Sequence, residues 1–505
     1  MKTNLLLRVL CGLLVVTMLC VGVIACKDNN GNSNNDNKPP VTNNPDEGTE
    51  DTGTDYLLQV ERDDFGNDVI NVLCRMDKSY EIDVSEDASA LVEKAVFNRN
   101  ARVEEYLNVD IVGVPVNGSW QMRAEFVETL SRSVAAHDNQ FQLAATHSSY
   151  NAGLTLNNQY HNLRAQDTIQ LDAPWWSASW VENATVYDKL YFITGDVSLT
   201  MWEELYAVFF NRQLAIDLEL GDLYQMVRDG DWTLEQFAIL ADYYLDDGND
   251  VVDVADTYGL LINRHCMRTF VTSCGLPIAE RNDEGTFDII FMDEDGGHNI
   301  KVDTVYQSLY NLIYKQDGTF DSKLTDGDYS EMQSIFTAGG ALFMTGTLQN
   351  ATALRSAYME FGILPFPMYD TDQEVYLSHS YDGLSSFAIP ASAHFPKMCA
   401  KVLDAMGAES KKSVIPAYYE VVLQGRVAQD ADSKEMLGII RENLYFDFGF
   451  IYSDTLKSGS VAGPFAFFGD ELRAGKASLS AGWAGAGDIY NEQLIEVLRK
   501  FKEGN

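Results

Sequence analysis

The sequence predicts an α/β protein built as two lobes. Two observations carry that expectation. Short β-rich runs alternate with helical stretches of roughly 10–20 residues, the pattern of a parallel sheet with crossover helices. About 450 residues then follow the N-terminal segments, more than one ordinary hydrophobic core holds. The apolar fraction of 46% is that of a globular protein, and no second apolar run approaches membrane length.

The chain opens with Lys2 and Arg8, then runs uncharged from Val9 to Ala25. A basic start and an apolar run are the layout of a secretory signal. Length alone leaves a retained anchor open; the end of the run decides. "VIAC" (Val23 to Cys26) resembles a bacterial lipobox, which implies cleavage before Cys26 and lipidation of its sulfur. Residues 1–25 are then a signal peptide. Residues 26–55 form a lipidated cysteine and a disordered tether, since Lys27 to Asp55 hold only Val41 as an apolar residue and cannot offset their chain entropy. Stable anchoring takes more than one lipid chain.

"DVINVLCRM" from Asp68 reads as a strand. "SALVEKAVFNRNARVEEYL" from Ser89 carries helical spacing, "NVDIVGVPV" from Asn108 returns to strand, "AEFVETLSRSVAA" is helical, and "FQLAATHSS" is strand-like. Ligands in open α/β sheets bind beyond the carboxyl ends of strands. This makes "THSSY" (Thr146 to Tyr150) either a binding loop or an ordinary Ser-rich turn. In "GDWTLEQFAILADYY", Thr233 can cap free backbone N–H groups with Gln236 three residues on, which predicts a helix over 234–244. "MQSIFTAGGALFMTGTLQN" combines a helix end, a Gly-Gly turn and a strand. "FGILPFPM" is a strand that Pro365 and Pro367 should end, because proline supplies no ladder N–H. "LSSFAIPA" and the helix around "KMCAKVLDAM" follow, and helices dominate from Pro416 onward.

The formal charge of −39 becomes −41 once Lys2 and Arg8 leave with the signal. Such a body repels nucleic acid and anionic membrane surface, which argues against a nucleic-acid partner. A neutral ligand does not feel that field. Cys74, Cys266, Cys274 and Cys399 form no CxxC pair and have no clustered histidine, so a zinc site is unsupported. Cys266 and Cys274 could be bridged, or be isolated buried thiols. "DEDGGHN" from Asp293 places Gly297 and His298 where a calcium loop needs other residues, and reads as a turn. No cofactor or metal is expected.

Six segments, in order, resemble the extracellular solute-binding proteins of ABC importers, the sugar-type group that includes maltose-binding protein. They are "NRNARVEEYLNVDI", "KLYFITGD", "FFNRQLA", "GDWTLEQF", "FTAGGALFMTG" and "FGILPFP". The resemblance implies a periplasmic-binding-protein-like fold, two α/β lobes with a hinge and an interlobe ligand cleft. It implies chain crossings near Ala165, Pro365 and Ser413, hence lobe one at 56–165 and 366–412 and lobe two at 167–364 and 414–505. The implied function is a monomeric, lipid-anchored protein on the outer face of the cytoplasmic membrane. It would capture a carbohydrate, an oligosaccharide in particular, and pass it unchanged to ABC permease subunits.

A sugar offers flat C–H faces and a rim of hydroxyls, which aromatic rings and polar side chains answer. Seven Trp, 25 Tyr and 25 Phe are ample supply, so location must select among them. By the resemblance, Ser148, Ser149 and Tyr150 reach the cleft, as do Thr200, Trp202 and Glu203. So do Thr347, Gln349 and Asn350, in a turn where maltose-binding protein has aromatics and this chain has none. Tyr381 and Asp382 precede a lobe-one strand, and Phe467 and Phe468 lie in "PFAFFGDEL". Trp175, Trp176 and Trp483 read as packing residues.

The competing class is a surface glycoside hydrolase, which needs two carboxylates at a set separation. Pairs such as Glu203 and Asp382 are available. No GxSxG, HExxH or GxxxxGK[ST] motif occurs, and the ordered family segments favour binding over catalysis.

Overall fold

A computed structural model describes residues 53–249, 252–292, 298–320, 329–354, 359–423 and 431–504. The expected signal peptide, Cys26, most of the expected tether and the turn expected at 293–297 lie outside the described residues. Among the described residues no helix is long and apolar enough to cross a membrane.

Two main sheets organise the chain. The first holds β1 (Asp68–Arg75), β2 (Val109–Val116), β3 (Leu143–His147) and β4 (Phe192–Ile193). The second holds β5 (Tyr206–Asn211), β6 (Tyr244–Leu245), β7 (Thr257–Leu261), β10 (Thr319–Phe320), β11 (Ala341–Thr347) and β12 (Phe361–Leu364). Between β7 and β10 a small hairpin pairs β8 (Ala279–Arg281) with β9 (Phe287–Ile289). The chain finally returns to the first sheet as β13 (Ser385–Ala388). The first sheet runs β2-β1-β3-β13-β4 and the second β10-β7-β11-β5-β12.

β1 pairs in parallel with β2 and β3, as the alternation predicts, with Val72 opposite Leu143. The sheets are nonetheless mixed. β13 is antiparallel to both β3 and β4, and β5 is antiparallel to β11 and β12. A wholly parallel sheet would need a crossover before each strand. β13 instead arrives from the other lobe, and its direction is free of that constraint.

Local structure follows local chemistry. β1 buries both faces over Val72–Arg75, as a central strand covered by helices must. The helix Leu91–Leu107 seats Val96, Val103 and Leu107 against the sheet and stops at Asn108, which takes the left-handed conformation (φ 51°). Thr233 Oγ1 accepts from Gln236 N–H (3.3 Å) and starts a helix over Leu234–Ala241, one turn shorter than the spacing predicts, because Tyr244–Leu245 leave it to pair with β7. β12 ends at Leu364, before Pro365, whose carbonyl accepts from Trp232 Nε1 (2.9 Å). All named strands precede residue 389, and the C-terminal segment is helical.

β4 lies beyond Ala165 yet belongs to the first sheet, and the run after Pro365 still bonds the second lobe through Leu234 N–H to Met368 O (2.7 Å). The lobes meet where Leu205 bridges Ser380. Cys74, Cys266, Cys274 and Cys399 are buried thiols, and no Cys266–Cys274 bridge forms.

Candidate functional site

A cleft of about 570 Å³ opens between the lobes. Its first-lobe wall comes from the carboxyl ends of three strands. Arg75 closes β1 and Lys78 follows it, Trp120 lies beyond β2, and His147 closes β3 with Ser148 and Ser149 next. Tyr381 and Asp382 enter from the loop before β13. The second-lobe wall comes from His265 and Arg268 on the helix Arg264–Ser273. Phe450, Asp454 and Lys457 add to it, as do Phe465 and Asp470 on the helix Pro464–Arg473.

Most charges in this cleft are paired. Lys78 Nζ lies 2.9 Å from Glu204 Oε1, and Arg75 Nη1 lies 3.8 Å from Asp77. Arg268 of the second lobe reaches Asp382 of the first (3.4 Å). Lys457 pairs with Asp454. Burial raises the pKa of Glu204 and of Asp382, with Lys78 and Arg268 respectively working against it. Arg75 also donates to Gly383 O (2.8 Å) and Ser385 Oγ (3.2 Å), locking β1 to the β13 approach.

The aromatic surface is set by packing beneath it. Trp120, 36% exposed, is the open ring, with the Arg123 guanidinium 4.2 Å and the Lys457 ammonium 5.5 Å from its centroid. The His147 ring lies 5.9 Å from it and stacks on Tyr150 (5.4 Å). His147 Nδ1 accepts from Ser149 N–H, and burial holds the imidazole well below its ordinary pKa, so it is neutral. On the opposite wall Phe450 and Phe465 pack against His379, at 4.5 and 4.8 Å. Burial pushes the His379 pKa down to about 3.

The structure brings four of the sequence-predicted residues together here: Ser148, Ser149, Tyr381 and Asp382. Both serine hydroxyls donate to the Asp382 carbonyl (2.7 and 3.1 Å), so they also fix the loop. Tyr150 lies beneath the cleft, its hydroxyl donating to Gly118 O (2.8 Å). Thr200 is wholly buried between Glu81 Oε1 (3.0 Å) and Ser385 N–H (2.8 Å). Glu203 accepts from Tyr80 Oη (2.5 Å), and burial lifts its pKa to about 7. Asn350 caps its own helix, its Oδ1 accepting from Thr347 N–H (2.7 Å), and Gln349 beside it is exposed. Phe467 packs on Trp483 and Tyr490, and Phe468 on Phe291 and Tyr306. Trp202 lines a different cavity of about 520 Å³. These eight residues lie off the cleft because each satisfies an internal contact or faces another space.

Sequence reasoning passed over Trp120, Arg75 and Lys78, although the strand-end rule applied to β3 points equally to the ends of β1 and β2. Nothing in the sequence singles out Arg268, which lies within a helix.

No family model and no curated protein matches the sequence. Solved structures do. A cyclo/maltodextrin-binding protein complexed with maltotetraose superposes with a TM-score of 0.54 at 13% identity, covering 85% of this chain and 97% of that one. The chain has the fold of the sugar-type solute-binding proteins. An ABC substrate-binding protein from Listeria monocytogenes in complex with cycloalternan matches with a TM-score of 0.52 at 11% identity, over 85% and 99% of the two chains. A sugar transporter from Rhizobium etli in an open conformation gives 0.53 at 13%, over 86% and 99%. This fold puts an α/β lobe on each side of the cleft described above.

Proposed function

We propose that the protein is the solute-binding component of an ABC importer, capturing an oligosaccharide between its lobes and releasing it intact to a permease. One observation carries the reading: a cleft between two lobes where an open indole ring faces paired charges. The ring answers the C–H face of a sugar. Each ion pair sets donors beside acceptors, which neighbouring hydroxyls satisfy without net charge. The proteins of like fold noted above with cycloalternan and maltotetraose bind such molecules.

We place the first two crossings at Leu205 and Ser380 and the third near Ser413, where one helix gives way to the next. Arg268 and Lys457 already reach Asp382 and Trp120 across the cleft, so hinge closure about these crossings would hold them against a ligand on the first lobe, and closure is driven only by the extra affinity of the closed form. Ser148, Ser149, Tyr381 and Asp382 contact the ligand in this reading. Cys26 carries the lipid that holds a monomer at the outer face of the membrane. The cleft carboxylates Glu204 and Asp382 are engaged by Lys78 and Arg268, which suits binding better than the acid pair of a hydrolase.

A thermal-shift screen of purified protein against maltodextrins and other oligosaccharides tests the reading. A ligand should raise the melting temperature and be recovered unchanged, and Trp120→Ala should weaken binding roughly tenfold or more, about 1.4 kcal/mol or above. Release of monosaccharide, or an unaltered shift in W120A, rejects it.

A further inference from the structure

We propose a second binding site, on the hinge side of the short helix Leu199–Glu203, that takes a neutral polyhydroxylated ring such as a monosaccharide or cyclic polyol. The cavity measures about 520 Å³ and shares no lining residue with the interlobe cleft. The proposal rests on this cavity and not on the importer reading.

The walls are aromatic and fixed. Trp175, Trp176 and Trp202 line it with Tyr56. The indole N–H groups of Trp175 and Trp176 both donate to buried Asp404 (2.8 and 3.1 Å), so these rings have one orientation. Gly195 lies so close that a Cβ would sit 2.2 Å from the Trp175 carbonyl, and the Asp196 N–H donates to that same oxygen (2.8 Å). The Asp196 carboxylate is thereby held at the cavity wall.

The polar groups point to the ligand class. Asp196 is 4% exposed and lies 3.5 Å from Lys411 Nζ; burial, opposed by Lys411, lifts its pKa to about 6. An ionised carboxylate only accepts and an ammonium only donates. Two neighbouring ring hydroxyls, each both donor and acceptor, bridge that pair and leave it intact. An ion that took either member would break the pair, and losing Lys411 would strand the buried Asp196 carboxylate. The Trp202 indole N–H is buried and makes no hydrogen bond within 3.5 Å. Its contact with the Asp196 carboxylate works against the burial that raises that group's pKa, and ties the Trp202 ring to the ion pair.

The cavity is linked to the cleft through one short element. Trp202 lines the cavity, and Glu204, two residues on, bonds Lys78 in the cleft. An occupant that fixes Trp202 therefore acts on the wall of the first site.

The full chain is titrated with D-glucose, D-galactose, D-mannose and myo-inositol, each at millimolar concentration, by tryptophan fluorescence and saturation-transfer NMR. Wild type, W120A, Asp196→Asn and Trp202→Phe are compared, with thermal melts to confirm folding. One of the four probes should bind W120A as it binds wild type, and bind D196N and W202F roughly tenfold more weakly. Absence of any binding to W120A, or undiminished binding to W202F and folded D196N, overturns the site. An oligosaccharide response lost in W120A without a monosaccharide response sinks this site and leaves the importer reading standing; the opposite pattern does the reverse.

Discussion

The interlobe cleft and the hinge-side cavity are similar in volume, about 570 and 520 Å³, and opposite in construction. The cleft is made of strand ends and loops on one side and of helices on the other. Its charges reach across from one lobe to the other, and its open tryptophan is exposed by a third. The cavity is made of packed indoles, its one deep ion pair held by backbone contacts around Gly195. An aromatic-rich stretch of sequence is therefore a poor guide to the cleft. "PWW" and "PFAFF" supply mostly walls and core, whereas the cleft takes a lone Trp120 from a polar loop.

The largest effect should come from the cavity wall. Asp404 is wholly buried and accepts from Trp175, Trp176 and Gln170. Asp404→Ala would leave two indole N–H groups unsatisfied and open a hole beside them. Urea unfolding should show a loss of about 3 kcal/mol, with Asp404→Asn losing less. A loss below about 1 kcal/mol would mean that the tryptophans are held by packing alone, and the contrast between the two spaces would fade.

A smaller effect belongs to Glu203, between the two spaces. Its folded pKa of about 7 lies above the ordinary carboxylate value, so the folded state holds more proton than the unfolded state between about pH 4 and 7. Stability from this group is full below that window and falls as pH rises through it. Glu203→Gln removes the titration, and should flatten the decline in urea-melt stability between pH 5 and 8 by about 2 kcal/mol. An unchanged slope would assign the decline to other buried acids such as Asp447, whose pKa burial also lifts to about 7.

The smallest effect separates a cap from a contact. Asn350→Ala removes the acceptor of the Thr347 N–H and should cost about 1 kcal/mol in denaturant melts, with oligosaccharide affinity unchanged. A loss of affinity instead would return that turn to the ligand surface.

Much of the fold was legible in the sequence. β1, β2, β3 and the intervening helices fall where alternating periodicity puts them, because each is an amphipathic unit packing on its sequence neighbours. The strand stop at Pro365 and the Thr233 cap follow from one residue's chemistry. The direction of β13 was not legible, since it depends on pairing with residues far along the chain. The cleft was half legible. Ser148, Ser149, Tyr381 and Asp382 adjoin strands that could be recognised. Phe467 and Asn350 carry the right side chains for a sugar site, but tertiary packing uses them elsewhere.

The insertion of β13 between β3 and β4 bears on how the polypeptide matures. During synthesis the ribosome delivers β1 to β4 early, yet Ser385–Ala388 emerge only after the whole of the second sheet has been made. Until then two strand edges of the N-terminal body stand unmatched, a template for wrong partners. The early body cannot complete itself on its own, and its assembly is timed by the last strand to arrive.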